Sequence, residues 1–320
     1  MKRAAVLIAA LAFAGAASAQ QYPNRTVRVI VPWPPGQATD LAARIVAQKL
    51  TEALGQPFVA DNRPGAGGAI GTDAVAKAAP DGYTLLAASS GPISIMPVLQ
   101  KTPYEPLKDL APISLIGRTP FALVVNPSFP AANAKEFVAL VRANPDKYTF
   151  SSSGTGATAH LFTELFNSMA QLKARHVPYK GTVPAITDIL NGQIDYTIET
   201  VAATGAHIRA GRLKTYGVST ARRTAALPDV RPLAEAADVP GYDVAAWMGY
   251  AAPPGTPPEI LARLSAEIQK AMLAEDLKER YLSLGLDPVS STPEDMAAFM
   301  RREQDRYATI VREANIKIEQ

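Results

Sequence analysis

Apolar residues recur along this chain at two spacings, and each spacing predicts a different kind of element. Short runs of apolar and β-branched residues predict strands, whereas apolar residues three or four positions apart predict helices. The run at 26–31 is typical of a strand buried on both faces. After a break at 32–36, the pattern predicts a helix that Thr39 or Asp40 can cap and that Gly55 ends.

The same order of strand, turn and helix continues to the end of the chain. Further strands are predicted at 58–60, 83–88, 121–125, 149–151, 195–199, 213–219 and 244–250. Further helices are predicted at 69–79, 133–143, from the loop at 152–156 to 169, at 183–190, 257–284 and 292–314. The uncharged stretch 82–100 is interpreted as a strand and a loop, because it contains several serines together with Pro92 and Pro97. This order favours an α/β protein with open, largely parallel sheets.

The first nineteen residues have the pattern of a secretory signal peptide. Lys2 and Arg3 precede an uncharged apolar stretch at 4–14, and an Ala-x-Ala cleavage signal follows at 17–19. A membrane-spanning helix needs about 20 apolar residues, so this stretch is too short to be one. We therefore expect cleavage near Ala19 and export to a bacterial periplasm, and no cysteine follows that could carry a lipid anchor.

Composition removes several classes of function. The 320 residues are 48% hydrophobic and 19% charged, which favours a globular protein of two lobes. The chain has no cysteine, which excludes disulfides, cysteine-ligated metals and a cysteine nucleophile, and its three histidines do not have metal-ligand spacing. We expect no metal and no cofactor. The net charge of +3 falls to +1 without Lys2 and Arg3, and no basic stripe indicates a nucleic-acid partner.

A glycine-rich turn at 64–71 invites comparison with dinucleotide-binding loops. The G-x-G-x-x-G pattern counted from Gly65 requires a glycine at 70, where this chain has Ile70. The turn also follows the second predicted strand rather than the first. We therefore favour a tight turn that lets a helix pack closely on the sheet.

A second polar loop, Ser-Ser-Ser-Gly-Thr-Gly at 151–156, lies before a predicted helix that carries His160. No G-x-S-x-G motif is present and no acidic residue is placed to orient His160, which disfavours a serine hydrolase. Hydroxyls and free amides at a helix N-terminus favour anion binding, with plain helix capping as the alternative. His160 is equally compatible with packing or capping and with ligand contact.

The loop at 32–40 has the same character, with a glycine, a threonine and a helix start. Asp40 is interpreted as a cap, because its charge makes it a poor ligand for an anion. Trp33 is predicted to form a wall of the cleft, whereas Trp247 is equally compatible with core and cleft. Tyr179 and the following lysine are a weaker candidate pair. Since ligands bind beyond the carboxyl ends of strands in open α/β sheets, we expect these loops to line one cleft if the lobes face each other.

Several motifs occur in a fixed order over nearly all of the chain after the signal segment. They are Val29 to Pro32 with Pro35-Gly36 and Thr39-Asp40, Asp61 to Gly68 with Ile70-Gly71, Pro80 to Leu86, Ser153 to Gly156 with His160, His176 to Gly181, Leu227 to Val230, Trp247, and Pro253 to Pro257. In this order they resemble the tripartite tricarboxylate transporter substrate-binding family, also called Bug receptors. One departure is Gln37, where the family usually has a second glycine; its side chain can change the loop or read a ligand substituent.

The resemblance implies a fold and a division of the chain. The fold is the two-lobe, type II periplasmic binding protein architecture, in which each lobe is an open mixed sheet flanked by helices and the ligand cleft lies between the lobes. The chain would cross between lobes near Val124 and near Ala246. Lobe 1 would then comprise 20–124 and 246–320, and lobe 2 would comprise 125–245.

The resemblance also implies a function. The chain would be a monomeric periplasmic receptor, not an enzyme, that delivers a small organic carboxylate to the permease subunits of a tripartite membrane transporter. The carboxylate is a di- or tricarboxylate, an aromatic acid or an acidic amino acid, and in the family backbone amides, hydroxyls and ordered waters hold it. The candidate ligand-binding residues are Trp33, Pro34, Gly36, Gln37, Ala38, Thr39, Asp40, Ser89, Ser90, Gly91, Ser153, Gly154, Thr155, Gly156, His160, Tyr179, Thr200 and Trp247. The alternatives are a sensory receptor that feeds a membrane kinase and, less favoured, a secreted serine hydrolase.

Overall fold

The computed structural model describes residues 22–313, so the predicted signal peptide and the last predicted helical residue lie outside the described residues. The strands are β1 Val27–Val31, β2 Phe58–Asn62, β3 Thr84–Ser89, β4 Ala111–Val125, β5 Thr149–Ser152, β6 Arg175–Pro178, β7 Tyr196–Thr200, β8 Lys214–Val218 and β9 Ala245–Ala252. The α-helices are α1 Ala38–Leu54, α2 Ala69–Ala76, α3 Met96–Leu99, α4 Pro106–Asp109, α5 Ala134–Arg142, α6 Thr158–Met169, α7 Thr182–Leu190, α8 Val201–Arg209, α9 Leu233–Ala236, α10 Pro258–Leu273, α11 Glu275–Ser283 and α12 Pro293–Glu313. A 3-10 turn lies at Ala66–Gly68 and a π-helical turn at Gly91–Ile95.

The strands form one curled, mixed sheet in the order β2-β1-β3-β9-β4-β7-β5-β6, with β8 also paired to β4. β1 is parallel to both β2 and β3, and β5 is parallel to both β6 and β7. The long strand β4 joins the two parallel groups and is antiparallel to all of its neighbours. The fold is therefore a two-lobe α/β architecture on a mixed sheet, as the family resemblance implies. The largely parallel sheets that the element order favours are wrong, because every pairing made by β4 and β9 is antiparallel.

β4 changes partners part-way along its length. Residues up to Pro120 pair with β9, and residues from Phe121 onward pair with β7 and β8. The carboxyl end of β3 reaches β9 at Met248, near this change, and the carboxyl end of β7 pairs with Phe121. Since β3 runs in the same direction as β4 and β7 runs opposite to it, the carboxyl ends of the two parallel groups point toward each other. The predicted lobe boundaries at 124 and 246 stay a prediction.

Helices cover both faces of each half of the sheet. In the first half, α1, α10 and α11 share one core, and α2 shares the other with Met296 and Met300 of α12. In the second half, α5 and α6 share one core and α7 and α8 the other. α12 also reaches the second half, where Tyr307 stacks on Phe162 with ring centroids 6.2 Å apart. Within residues 22–313, no helix is both long enough and apolar enough to cross a membrane.

Three predictions about elements are wrong in detail. β4 begins at Ala111 rather than at 121, and the stretch after β3 forms the π-helical turn and α3 instead of a loop. Its two prolines occupy the first positions of those helices, where a missing amide hydrogen costs little. The helix predicted at 257–284 is broken at Ala274, whose backbone is extended with ψ of 132°.

Candidate functional site

The first candidate loop connects β1 to α1 and is held in place by Asp40. Helix α1 begins at Ala38 with Gln37 as its N-cap residue, so the prediction of Thr39 or Asp40 as the cap is wrong, whereas Gly55 does end the helix in a left-handed conformation. Asp40 lies at the third helical position, 2% exposed, and its Oδ2 accepts the amide hydrogen of Gly36 at 2.9 Å. The carboxylate thus fixes the loop from inside the helix.

Two residues that the sequence analysis did not select complete this support. Arg44, one helical turn after Asp40, donates from Nε to Asp40 Oδ1 at 2.9 Å. Asn62, the last residue of β2, donates from Nδ2 to the same oxygen at 2.8 Å and to the carbonyl oxygen of Trp33 at 2.9 Å. The Arg44 guanidinium closes the network on Asn62 Oδ1 at 2.7 Å. The loop residues Pro34, Gly36 and Gln37 stay exposed above this network, with Ala38 half-buried and Thr39 buried beside them.

Trp33 ties the first loop to the end of β3. Its indole Nε1 donates to Ser89 Oγ at 2.9 Å, and its side chain is half-buried. A Cβ on Gly91 would lie 2.9 Å from the Trp33 ring, so the ring packs directly on the glycine backbone. Ser89, Ser90 and Gly91 are themselves buried, and the Ser90 hydroxyl interacts with Tyr307 of α12. These residues hold the Trp33 side chain against the carboxyl end of β3.

The glycine-rich turn also packs beneath the first loop. A Cβ on Gly71 would lie 2.8 Å from the carbonyl oxygen of Arg63 and 3.0 Å from Cα of Pro32. Only a glycine lets α2 approach the loop backbone this closely. The interpretation of the turn as a close-packing device is confirmed.

The second candidate loop follows β5 in the other half of the molecule. Ser153 and Gly154 are half-buried, Thr155 is exposed and Gly156 is buried. Helix α6 begins at Thr158, after Ala157 as the N-cap residue. The Gly156 amide donates to His160 Nδ1 at 3.1 Å, and the Gly154 amide donates to Ser152 Oγ at 3.2 Å. Two of the predicted anion-binding amides are therefore engaged within the protein, which leaves the amides of Ser153 and Thr155 outside this network.

His176 on β6 is a further residue of this site that the sequence analysis passed over. Its ring stacks on that of His160 with centroids 3.9 Å apart and an interplanar angle of 11°. Its Nε2 lies 2.7 Å from Ser152 Oγ, which in turn donates to the carbonyl oxygen of Gly154 at 3.0 Å. Burial, together with the charge that His160 can carry, lowers the pKa of His176 to about 4. Ser152 is fully buried, so its contact with His176 supports the loop and does not present a nucleophile.

Two other predicted residues lie at the carboxyl ends of β6 and β7. The Tyr179 hydroxyl donates to Asp188 Oδ2 on α7 at 2.6 Å, and burial and this neighbour raise its pKa to about 12. The Thr200 amide donates to Oε1 of Glu199 at 2.7 Å. Glu199 is buried, which raises the pKa of its carboxyl group, and its Oε2 accepts a 3.3 Å hydrogen bond from Thr182.

Trp247 does not lie with the other candidates. It has no exposed surface, and its indole packs edge-on against Phe299 of α12 with ring centroids 5.7 Å apart. A side chain enclosed between the sheet and a helix cannot touch a solute in this conformation. The prediction that Trp247 contacts the ligand is therefore at odds with its position in the core.

The two loops have the same chemical character. Each has exposed residues, Gly36 and Gln37 in the first loop and Thr155 in the second, beyond the carboxyl ends of parallel strands and before the start of a helix. This setting is suited to anions. Among the described residues, no group of three or more histidine and acidic side chains is arranged to hold a metal ion.

Comparison with known proteins decides the family. The sequence model described as "Tripartite tricarboxylate transporter family receptor" matches residues 42–316. The chain belongs to this family. Its members are periplasmic solute-binding proteins. The chain is 38% identical over 315 residues to Protein BugT of Bordetella pertussis, covering 98% of this chain and 96% of BugT.

Two solved structures of this receptor family are similar over almost their whole length. The R. palustris protein Rpa4515, solved with adipate, has a TM-score of 0.85 and 34% identity, with 92% of this chain and 99% of that chain covered. MatC (Rpa3494) from Rhodopseudomonas palustris, solved with bound malate, has a TM-score of 0.80 and 33% identity, with 91% and 100% covered.

Proposed function

We propose that this receptor binds a small dicarboxylate between the β1–α1 loop and the β5–α6 loop, and that it passes this ligand to the permease subunits of a tripartite transporter. The observation that carries the proposal is the matched pair of loops. Both loops lie at helix N-termini, and in both the third helical residue accepts a hydrogen bond from a loop glycine amide. The carboxyl ends of the strands in the two parallel groups point toward each other along β4. A solute with a negative group at each end would suit two such loops.

The relatives support the size and charge of this ligand. Rpa4515 was solved with adipate and MatC with malate, and both molecules are dicarboxylates of short chain length. Helix N-termini contribute about 0.3–1 kcal/mol each to the binding of an anion, far less than the roughly 8 kcal/mol of a micromolar complex. Hydrogen bonds to the carboxylates and the exclusion of water by Trp33 and the closing halves supply the remainder.

The proposal includes export and the absence of catalysis. The signal-peptide pattern at 1–19 supports a periplasmic location. Ser152, the loop serine that contacts a histidine, is fully buried, which argues against a hydrolase that uses this pair. A sensory receptor would use the same pocket, so the proposal of transport depends on the family rather than on the site.

A calorimetric and thermal-shift panel tests the ligand class. We expect malate, succinate and adipate to raise the melting temperature and to bind with saturation, whereas monocarboxylates of equal length bind less tightly because only one loop is engaged. Ligand at about 100 times its Kd adds about 2.7 kcal/mol to the free energy of unfolding. Neutral sugars serve as the control; stabilisation by sugars with no response to any dicarboxylate would overturn the proposal.

A further inference from the structure

The two loops are braced by the same contact at the same place in their helices. In the first half the Gly36 amide bonds Asp40, and in the second half the Gly156 amide bonds His160, four residues on in each case. Gly36 and Gly156 each precede the N-cap residue of the helix, and each acceptor is the third helical residue. A charged side chain follows one turn later in both helices, Arg44 in the first and Glu164 in the second. Both the acceptor and the sign of that neighbouring charge therefore differ between the two helices.

The two acceptors differ in their response to protons. A carboxylate has two oxygens and several lone pairs, whereas an imidazole ring has one free nitrogen lone pair when neutral and none when charged. His160 uses Nδ1 to accept from Gly156, so its proton is on Nε2, which faces Glu164 Oε1 at 3.7 Å. Adding a proton to Nδ1 would set two N–H groups against each other and would break the brace.

The groups around His160 influence whether its ring can carry a positive charge. Glu164 lies on its own helix, His176 on β6 stacks against the ring, and Phe150 on β5 stacks on both imidazoles. Tyr196 on β7 packs on Phe150 and stays neutral, because burial raises its pKa far above the neutral range. Of these neighbours only Glu164 favours a positive His160, whereas His176 opposes a second charge beside it.

We propose that His160 is a positioning residue whose neutral form holds the β5–α6 loop ready for the ligand, so that acidification weakens carboxylate binding through this half of the site alone. This inference rests on the proposed function. Direct attraction between a charged His160 and a carboxylate would have the opposite sign, because affinity would then rise as the pH falls.

Titration calorimetry with adipate, or with malate should adipate not bind, tests the sign. Between about pH 8 and about pH 5, we expect the wild-type affinity to fall about tenfold more than that of His160→Asn. Asparagine keeps an acceptor oxygen, and Asp40 shows that a side chain of this length reaches the amide. The ligand's own protonation is common to both proteins and cancels in the comparison.

Two further variants complete the experiment. His160→Leu removes the acceptor and is expected to bind about tenfold more weakly than wild type at about pH 8, with the difference closing toward about pH 5, where the protonated wild type loses the same contact. Asp40→Asn keeps an acceptor in the first half and is expected to retain the wild-type pH dependence. A wild-type affinity that rises on acidification, or a His160→Asn profile parallel to the wild type, overturns the inference while the proposed function stands.

Nuclear magnetic resonance without any ligand gives an independent result. We expect the Gly156 amide shift to titrate with the same midpoint as the His160 ring nitrogens, and the Gly36 amide shift not to follow that midpoint. A Gly156 amide that ignores the titration of His160 overturns the inference even if no carboxylate binds, which separates it from a failure of the proposed function.

Discussion

Individual side chains near the site hold the two loops, some through the backbone amides of Gly36 and Gly156 and others through neighbouring side chains. Asp40 accepts three donors from three parts of the chain, and His160 and His176 secure the two ends of one short loop. Because the backbone amides are held by buried groups, exposed loop residues such as Gln37 are free to differ between receptors. The same arrangement makes the second half of the site sensitive to protons.

His176 should make the protein less stable in acid. Its pKa is lowered from an ordinary value of 6.5 to about 4, so the unfolded chain holds a proton that the folded protein releases. The stabilisation is fully present above about pH 6.5 and is lost as the pH falls toward about 4. We expect the melting temperature to fall by roughly 2–4 °C more in the wild type than in His176→Gln over this range, measured by calorimetry.

Glutamine places its amide nitrogen near the position of Nε2 and can still donate to Ser152. His207, whose pKa burial also lowers, is present in both proteins and does not affect the difference. Equal acid sensitivity in the two proteins would show that His176 is not the group responsible.

The sequence predicts the site loops better than it predicts what holds them. Gly36, Thr155 and their neighbours are visible because glycine and hydroxyl residues collect between a strand and a helix. Asn62, Arg44 and His176 were not selected, because each acts on a loop from another element and a local pattern carries no sign of that contact. The sequence left Trp247 open between core and cleft for the related reason that α12, which covers it, lies far along the chain.

At the level of elements, β4 and the segment that pairs with it determine how the halves meet. Residues 111–120 of β4 were not predicted as strand, since Pro112 and Pro120 are unusual inside a sheet. The register shifts near Pro112, where the strand bulges. The segment after α11 then pairs with β4, where the amides and carbonyls of Arg118 and Asp287 exchange hydrogen bonds of 2.9 Å.

Gly285, in that same segment, is a sensitive point between elements. It has φ of +72°, and a Cβ there would lie 2.8 Å from the amide nitrogen and 2.9 Å from Cα of Ala202, in the first turn of α8. We expect Gly285→Ala to reduce the free energy of unfolding in urea by about 2–4 kcal/mol, from backbone strain and overpacking together.

Gly255→Ala is the matched control for this substitution. Gly255 has a similar φ of +81°, but the nearest atom to its Cβ would be 4.0 Å away. The control therefore carries the backbone strain alone, about 1–2 kcal/mol. An equal decrease in the free energy of unfolding of the two variants would mean that the close approach of Gly285 to α8 does not add to the destabilisation.

For the whole molecule, β4 and α12 are the parts that belong to both halves. β4 contributes residues to both regions of the sheet, and α12 packs on Trp247 through Phe299 and on Phe162 through Tyr307. Unfolding of one half would therefore expose apolar surface that belongs to the other. Bending about such shared elements is the usual way in which binding proteins of this architecture close on a ligand.

We expect this sharing to give a single unfolding transition. The two tryptophans, Trp33 and Trp247, both lie in the first half, so their fluorescence reports on that half, whereas far-ultraviolet circular dichroism reports on both. The two signals should give the same midpoint in a urea titration. Midpoints that differ beyond experimental error would show that the halves unfold separately.

The position of β9 in the sheet has a consequence for how the chain matures. β3, which ends at Ser89, lies beside β9, which begins at Ala245, and strands β5 to β8 of the second half lie between them in sequence. During synthesis, β1 to β3 emerge long before β9, so the first half of the sheet cannot be completed until β9 has been made. Closing so long a loop also slows folding. A nascent chain that cannot finish its first sheet stays unfolded for longer, which suits the export that the proposed function includes.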